Sequence, residues 1–214
     1  MDVKTAIRDG DAEALRRLLA EDPSRANALV QWGTNRCILT HPLHYVSDML
    51  FEGTLQKGKE LPIVDALIGA GAEIDFRKEG KGETALIGAA SLGAEDVGLR
   101  LLDAGARPEL RGMFGEMALH WAALLGEDRL AARLIEGLTE RSDLNLKDQE
   151  HHSPPLGWAI YGWSNPPGGN RGRQQEVVGL LVAAGAKVEP EWLASEQVRA
   201  NPSMLRLLTP PRQR

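Results

Sequence analysis

Glu83-Thr84-Ala85-Leu86, followed by Ala89-Ala90, Gly93, Val97, Leu101-Leu102 and Gly105-Ala106, sets the reading of the whole chain. A Leu opens an Ala-rich run, a Gly ends it, and an apolar pair precedes Gly-Ala. Small Ala89 and Ala90 suit a helix that approaches its neighbour closely, and Gly93 suits a turn that a residue with a β-carbon resists. Val97, Leu101 and Leu102 recur at helical spacing, which predicts a second helix with one apolar face. The unit returns as Glu116-Met117-Ala118-Leu119-His120, Ala122-Ala123, Gly126, Leu130 and Leu134-Ile135. Leu86 to Leu119 is 33 positions, and Gly71-Ala72 to Gly105-Ala106 is 34.

Two more copies emerge outward once insertions are allowed. One is His41-Pro42-Leu43-His44 with Ile63, Leu67-Ile68 and Gly71-Ala72; the other is Pro154-Pro155-Leu156 with Val177, Leu181-Val182 and Gly185-Ala186. Weaker copies flank them, at Ala6-Ile7, Gly10 and Leu18-Leu19, and at Met204 and Leu207-Leu208. In length and pattern the unit resembles the ankyrin repeat, T-P-L-H-x-A-A, then Gly, then V-x-x-L-L and G-A, over roughly residues 2–209. The resemblance implies an all-α solenoid of about six helix-pair units forming a single domain over 1–214. Its N-terminal cap is expected at about 2–30, repeats at about 31–189, a C-terminal cap at about 190–209 and a short tail at 210–214. One repeat cannot cover its own apolar face, so stacking supplies the partner and the terminal copies carry a polar outer face, as Arg16, Arg17 and Glu21 do.

Composition narrows the function. The 214 residues are 43% hydrophobic and 26% charged, which excludes disorder over the whole length. Twenty-five Lys and Arg against thirty Asp and Glu leave a net charge of −5, the wrong sign for a protein held to nucleic acid by phosphate contacts. Cys37 is the single cysteine, so no intramolecular disulfide or paired-Cys zinc site can form, and a reducing compartment is expected. Met1-Asp2-Val3-Lys4 runs straight into a charged amphipathic stretch, and no apolar run nears the roughly 18 residues of a membrane span. These features give the expectation of a cytoplasmic protein without a membrane segment.

The chain departs from the regular unit at two places. Leu86 to Val97 and Leu119 to Leu130 are each eleven positions, but Leu43 to Ile63 is twenty and Leu156 to Val177 is twenty-one. Both insertions fall between the two helices of a unit and are expected on one edge, where they would wall a groove over the intervening repeats. Asp48-Met49-Leu50-Phe51-Glu52-Gly53-Thr54-Leu55 reads as a helix extension with a turn. Asn165-Pro166-Pro167-Gly168-Gly169-Asn170-Arg171-Gly172-Arg173 reads as a loop with a basic tip, lacking the Lys-Ser/Thr ending of a phosphate-binding loop.

Aromatic residues are only 5% of the chain, yet Trp32, Tyr45, Phe51, Phe114, Trp121, Trp158, Tyr161 and Trp163 map to inner helices, fingers or the first insertion. Tyr45, Trp121 and Trp158 share one repeat position, which fits a stacked internal ladder. Trp32, Phe114, Tyr161 and Trp163 are expected at the surface as anchors for a partner. His41, His44 and Asp48 have the spacing of ligands on one helix face. However, His44 and His120 match the family His, where the resemblance implies a structural hydrogen bond. His41 replaces the family Thr, and Met117, Ile87 and Gly157 are further departures. Glu83 and Glu116 fit either an acidic groove with Asp48 and Ser91 or ordinary helix-start charges. Asp148, His152 and Ser153 lie too close in sequence to be taken as a triad, and no nucleophile elbow, metalloprotease or dinucleotide motif occurs.

The leading expectation is a binding scaffold without catalytic residues, metal or cofactor. It grips a protein or peptide through Trp32, Asp48, Glu83, Phe114, Glu116, His152, Tyr161 and Trp163. The alternative is a small-molecule-binding protein or enzyme, with a pocket formed by His41, Asp48, Glu83, Ser91, Glu116, His152 and Tyr161 closed by the inserted loops.

Overall fold

The unit read at residues 83–106 folds as a helix, a tight turn and a returning helix. The computed structural model describes residues 1–36, 38–78, 82–167 and 173–209. Cys37, the basic tip of the second insertion at 168–172 and the tail at 210–214 lie outside the described residues. The chain divides into two compact units, Met1–Arg107 and Pro108–Arg214.

The first unit contains α1 (Val3–Asp9), α2 (Ala12–Glu21), α3 (Pro42–Phe51), α4 (Glu60–Gly69), α5 (Ala85–Ser91) and α6 (Glu95–Asp103). Helices α1, α3 and α5 form one row and α2, α4 and α6 another, and each helix of the first row packs on its successor in the second. Ile7, Leu15, Leu43, Ile63, Leu67, Leu86, Val97 and Leu101 are buried between the rows, as the helical spacing of the apolar residues demands. Side-chain caps begin several helices: Asp2 accepts from the Thr5 N–H at 2.8 Å, Asp11 from Ala14 at 2.9 Å and Thr84 from Ile87 at 3.2 Å.

One feature of this unit is not helical. Strands β1 (Val30–Trp32) and β2 (Ile38–Thr40) pair antiparallel, with Val30 opposite Thr40 and Trp32 opposite Ile38. Alternating Val30-Gln31-Trp32, then Gly33-Thr34-Asn35, carries a hairpin signal. Asn35 adopts the left-handed φ of 59° that Asn tolerates in such a turn.

The second unit contains α7 (Ala118–Leu125), α8 (Asp128–Gly137), α9 (Pro155–Ser164), α10 (Gln174–Ala184), α11 (Pro190–Ala194), α12 (Glu196–Arg199) and α13 (Pro202–Leu208). Helix α7 packs on α8 and α9, α10 on α8, α9 and α13. The end at 190–208 consists of three short helices. The break falls at Ser195, whose hydroxyl accepts from the Val198 N–H at 3.3 Å and starts a new helix.

Successive helix pairs are bridged by one recurring hydrogen bond. The residue after each Gly-Ala donates its backbone N–H to an Asn or Asp of the preceding finger: Glu73 to Asn27 Oδ1 at 2.7 Å, Arg107 to Asp75 Oδ1 at 3.1 Å and Lys187 to Asn145 Oδ1 at 2.7 Å. Buried Ala72, Ala106 and Ala186 bring these N–H groups into range.

The long connections from α3 to α4 and from α9 to α10, where the sequence predicts insertions, are packed at their described ends. Leu55 is 1% exposed, and it lies with Lys59 over Gly10 in the α1–α2 turn, where an added Cβ would stand 3.1 Å from Leu55 Cδ1 and 2.6 Å from Lys59 Cδ. In the second unit Gly126, in the α7–α8 turn, lies under the root of the second insertion. A Cβ there would be 2.7 Å from Arg173 N and 2.8 Å from Gln174 N. Gln174 donates through Nε2 to the Leu124 carbonyl at 3.1 Å, and Arg173 pairs with Asp128 at 2.9 Å. Gly93, in the α5–α6 turn, has the same backbone conformation with open space around it: φ is 73° there and 75° at Gly126.

This difference is measurable by urea denaturation. Gly93→Ala carries only left-handed backbone strain and is expected to cost about 1–2 kcal/mol. Gly126→Ala adds overlap with backbone that cannot swing aside, raising the loss to about 2–5 kcal/mol. Equal losses would show that the insertion root yields.

Candidate functional site

In the first unit the start of α3 is built around His41. Its Nδ1 accepts from the Leu43 N–H at 3.3 Å, so Nε2 carries the proton and donates to Asn27 Oδ1 at 3.0 Å. The ring stacks on Phe76 at 4.7 Å between centroids. Burial, aided by nearby His44, pushes the imidazole down to about 4, so it is neutral at physiological pH. This corrects the placing of His41 in a ligand pocket. It is a buried helix cap doing the work of the family Thr, with both ring nitrogens committed.

His44 lies against α5, and Gly88 makes the approach possible, since a Cβ there would stand 2.6 Å from the imidazole. Asp48, one turn further along α3, is 3.9 Å from His44. Burial lowers His44, while burial together with the Glu52 and Glu83 carboxylates pushes Asp48 up to about 7. The two therefore do not form a strong ion pair at neutral pH. Glu83 is half-buried, and Ser91 donates to the Gly88 carbonyl at 3.1 Å. Trp32 is half-buried, 5.6 Å from the ring of buried Tyr45. Among the described residues no group of three or more His, Cys, Asp or Glu side chains is placed to hold a metal ion.

In the second unit Glu116 is buried. Its Oε2 accepts from the Phe114 N–H at 2.9 Å, and Gly112, which has room only for a hydrogen, meets the same carboxylate. The carboxylate shapes the finger at 111–116 and does not line an acidic groove. It holds Phe114 outward at 51% exposure, with Met113 beside it. The Phe114 carbonyl accepts from the Gln149 N–H at 2.7 Å, which ties this finger to the next. His120 matches its implied structural role: Nδ1 accepts from the Met117 N–H at 3.1 Å, and Nε2 donates to the Leu146 carbonyl at 3.1 Å. Burial pushes it down to about 4.

The next finger is organised by Asp148. Its carboxylate accepts from the backbone N–H groups of Glu150, His151 and Ser153 at 2.9, 2.6 and 3.1 Å, and from the Trp158 indole at 3.0 Å. Burial works to raise this acid, but the four donors prevail and hold it below the usual carboxylate range. The carboxylate thus fixes a loop and an indole, leaving no triad. Trp121 and Trp158 meet edge to face at 4.9 Å, so this pair of the anticipated ladder does stack. His152, exposed at the tip, adopts a left-handed φ of 50°.

Helix α9 lines two neighbouring concavities. Leu124, His151, Ser153, Gly157, Trp158 and Tyr161 line a hollow of about 350 Å³. A second, of about 320 Å³, shares Ser153, Gly157 and Tyr161 and adds Glu191, Trp192 and Ser195 among others. Tyr161 stands between them, 61% exposed. Gly157, where the family has His, leaves space that Ser153 Oγ and Trp192 enter. Trp163 is 8% exposed, which corrects its expected surface position. Leu156, Ala159, Ile160 and Trp163 form the buried face of α9, and Gly162 lets that helix close onto the Leu124 backbone. The sequence offers no sign of Leu124 or Trp192 here, and of Ser153 only as a member of a discounted triad; Gly157, where the resembled pattern has His, is the signal that points to this space.

Paired antiparallel helices joined by fingers, with an open hollow on an inner helix, define a helical repeat protein. The model of the ankyrin-repeat family matches residues 54–148 in three copies, so this part of the chain is similar to an ankyrin-repeat array. The match extends across the boundary between the two compact units. No curated protein matches the chain. Among the described residues no helix is long and apolar enough to cross a membrane.

Two consequences follow for stability. His41→Ala removes the cap and is expected to cost about 1 kcal/mol or more, with His41→Thr recovering most of it. A Thr variant as unstable as Ala would assign the loss to the Phe76 stack instead. Asp48 has a folded pKa above its unfolded value, so its contribution is present below pH 4 and lost as pH rises through 7. Asp48→Asn should therefore raise stability at pH 8 by on the order of 2 kcal/mol and change little near pH 3. A pH-independent effect in chemical denaturation would refute the burial argument.

Proposed function

We propose that the chain is a non-enzymatic ankyrin scaffold that binds a protein or peptide segment. In this reading residues 1–214 form one domain of about six helix pairs in the cytoplasm. The concave face and fingers contact the partner, and the two insertions frame the contact. The observation that carries the proposal is the exposed Tyr161 between two hollows on α9. An aromatic ring flanked by open concavities is the arrangement in which interface anchors interlock. Exposed Phe114 extends the same kind of surface onto a finger. A net charge of −5 weighs against nucleic acid as the partner. The small-molecule alternative is weakened because His41 and Glu116 are committed to a helix cap and a finger turn.

Partner capture from native lysate, followed by affinity measurement on the purified partner, tests this reading. Tyr161→Ala is expected to weaken binding about tenfold or more while leaving stability within about 0.5 kcal/mol. Phe114→Ala should also weaken it. Leu134→Ala should instead lose about 2–5 kcal/mol of folding stability, and Trp163→Ala about 3–5 kcal/mol, because both side chains are buried. Unchanged affinity in both exposed-aromatic variants would remove this face as the binding surface. A single metabolite that stabilises the protein and is turned over would favour an enzyme.

A further inference from the structure

We propose that the surface around Tyr161 takes an extended peptide carrying a bulky apolar side chain with an arginine or lysine close to it in sequence; this rests on the peptide-binding reading above. The two hollows have different chemistry. In the first, Leu124, Trp158 and Tyr161 supply apolar wall, and the Trp158 N–H is already given to Asp148. The indole therefore offers a guest only carbon. His151 lies against the same ring at 5.6 Å between centroids, and among the described residues no carboxylate, Lys or Arg lines this hollow. A charged guest would lose its hydration there without gaining an ionic partner from those residues.

The second hollow is lined by Ile160, Ser164, Asn165, Gln197 and Ser195, with Trp192 and Glu191. Among the described residues Glu191 is its one carboxylate and is exposed, and no described cationic side chain lines the hollow. A carboxylate next to an indole suits a guanidinium or ammonium group, through charge and through the ring face. Because Ser153, Gly157 and Tyr161 border both hollows, a single ligand can occupy the two together. With Tyr161 exposed as the shared rim, an apolar and a basic side chain of one peptide can enter the two hollows from the same side.

A linear decapeptide library displayed on phage, selected against the full chain, tests the inference. Enriched sequences should pair a bulky apolar residue with a nearby Arg or Lys, in either order. The synthetic consensus peptide should bind Tyr161→Ala about tenfold more weakly and Glu191→Gln about fivefold more weakly. Selection on Glu191→Lys should exchange the basic preference for an acidic one. Thermal melting establishes that each variant is folded, and Glu191→Gln alone decides the charge argument should Glu191→Lys unfold. Enriched peptides indifferent to charge, or identical sequences from the wild type and Glu191→Lys, would overturn this inference and leave the peptide-binding reading standing. A library that yields nothing above an uncoated support would overturn both.

Discussion

The hydrogen bond from the residue after each Gly-Ala to an Asn or Asp of the preceding finger sets how neighbouring helix pairs meet. Apolar faces alone fix that pairs stack, because burial is non-directional. They do not fix register, since Leu- and Ala-rich helices slide past one another at little cost. The bridges from Glu73 to Asn27, Arg107 to Asp75 and Lys187 to Asn145 remove that freedom. Each satisfies a backbone donor in a loop that offers it no helical or sheet partner, a modest gain of about 1 kcal/mol that recurs along the array. Asn27 also receives His41 Nε2 and donates to the Gly71 carbonyl at 3.0 Å. One side chain therefore ties the segment before β1, the start of α3 and the turn after α4 together.

The insertions follow from the same constraint. A longer connection between two helices leaves their pairing intact, because added loop length costs entropy only logarithmically. It must still satisfy its own backbone and cover its own apolar residues. The first does so by laying Leu55 and Lys59 over Gly10, and the second by laying Arg173 and Gln174 over Gly126. In both units a left-handed glycine of the preceding helix pair is the seat, since only a residue without a Cβ leaves that space open. The ends of the insertions are thereby fixed to the repeat before them.

The helix pairs were legible because each has the apolar spacing of a helix and a small-residue turn, and Thr84 and Gly93 mark the limits of α5 by ordinary chemistry. His41 was not legible as a cap. An imidazole caps only when its tautomer and both partners are fixed, and Asn27 is fourteen residues away in sequence. Trp163 was misplaced for a different reason. Its spacing from Leu156, Ala159 and Ile160 is that of a buried stripe, but its proximity to Tyr161 and to an insertion suggested surface. Glu116 was ambiguous from sequence because a carboxylate at a helix start is usually solvated. The Gly112 contact that buries it depends on the turn of the finger. The strand pair Val30–Trp32 and Ile38–Thr40 has a readable alternation, but each strand is three residues long and gives a weak signal beside the helical spacing.

The hollow at Tyr161 owes its shape to a group that does not line it. Asp148 receives three backbone N–H groups and the Trp158 indole, so one buried carboxylate fixes both the loop bearing His151 and Ser153 and the ring forming the floor. A surface built from free loops would have to order them on binding, at roughly 0.5–1.5 kcal/mol for each mobile side chain. Here that ordering is already present before a partner arrives, paid for by the folding of the second unit. Tyr161 is the exception, exposed above a fixed floor. In the proposed peptide-binding reading, the different chemistry of the two walls, carbon on one side and the Glu191 carboxylate on the other, is the basis of selectivity.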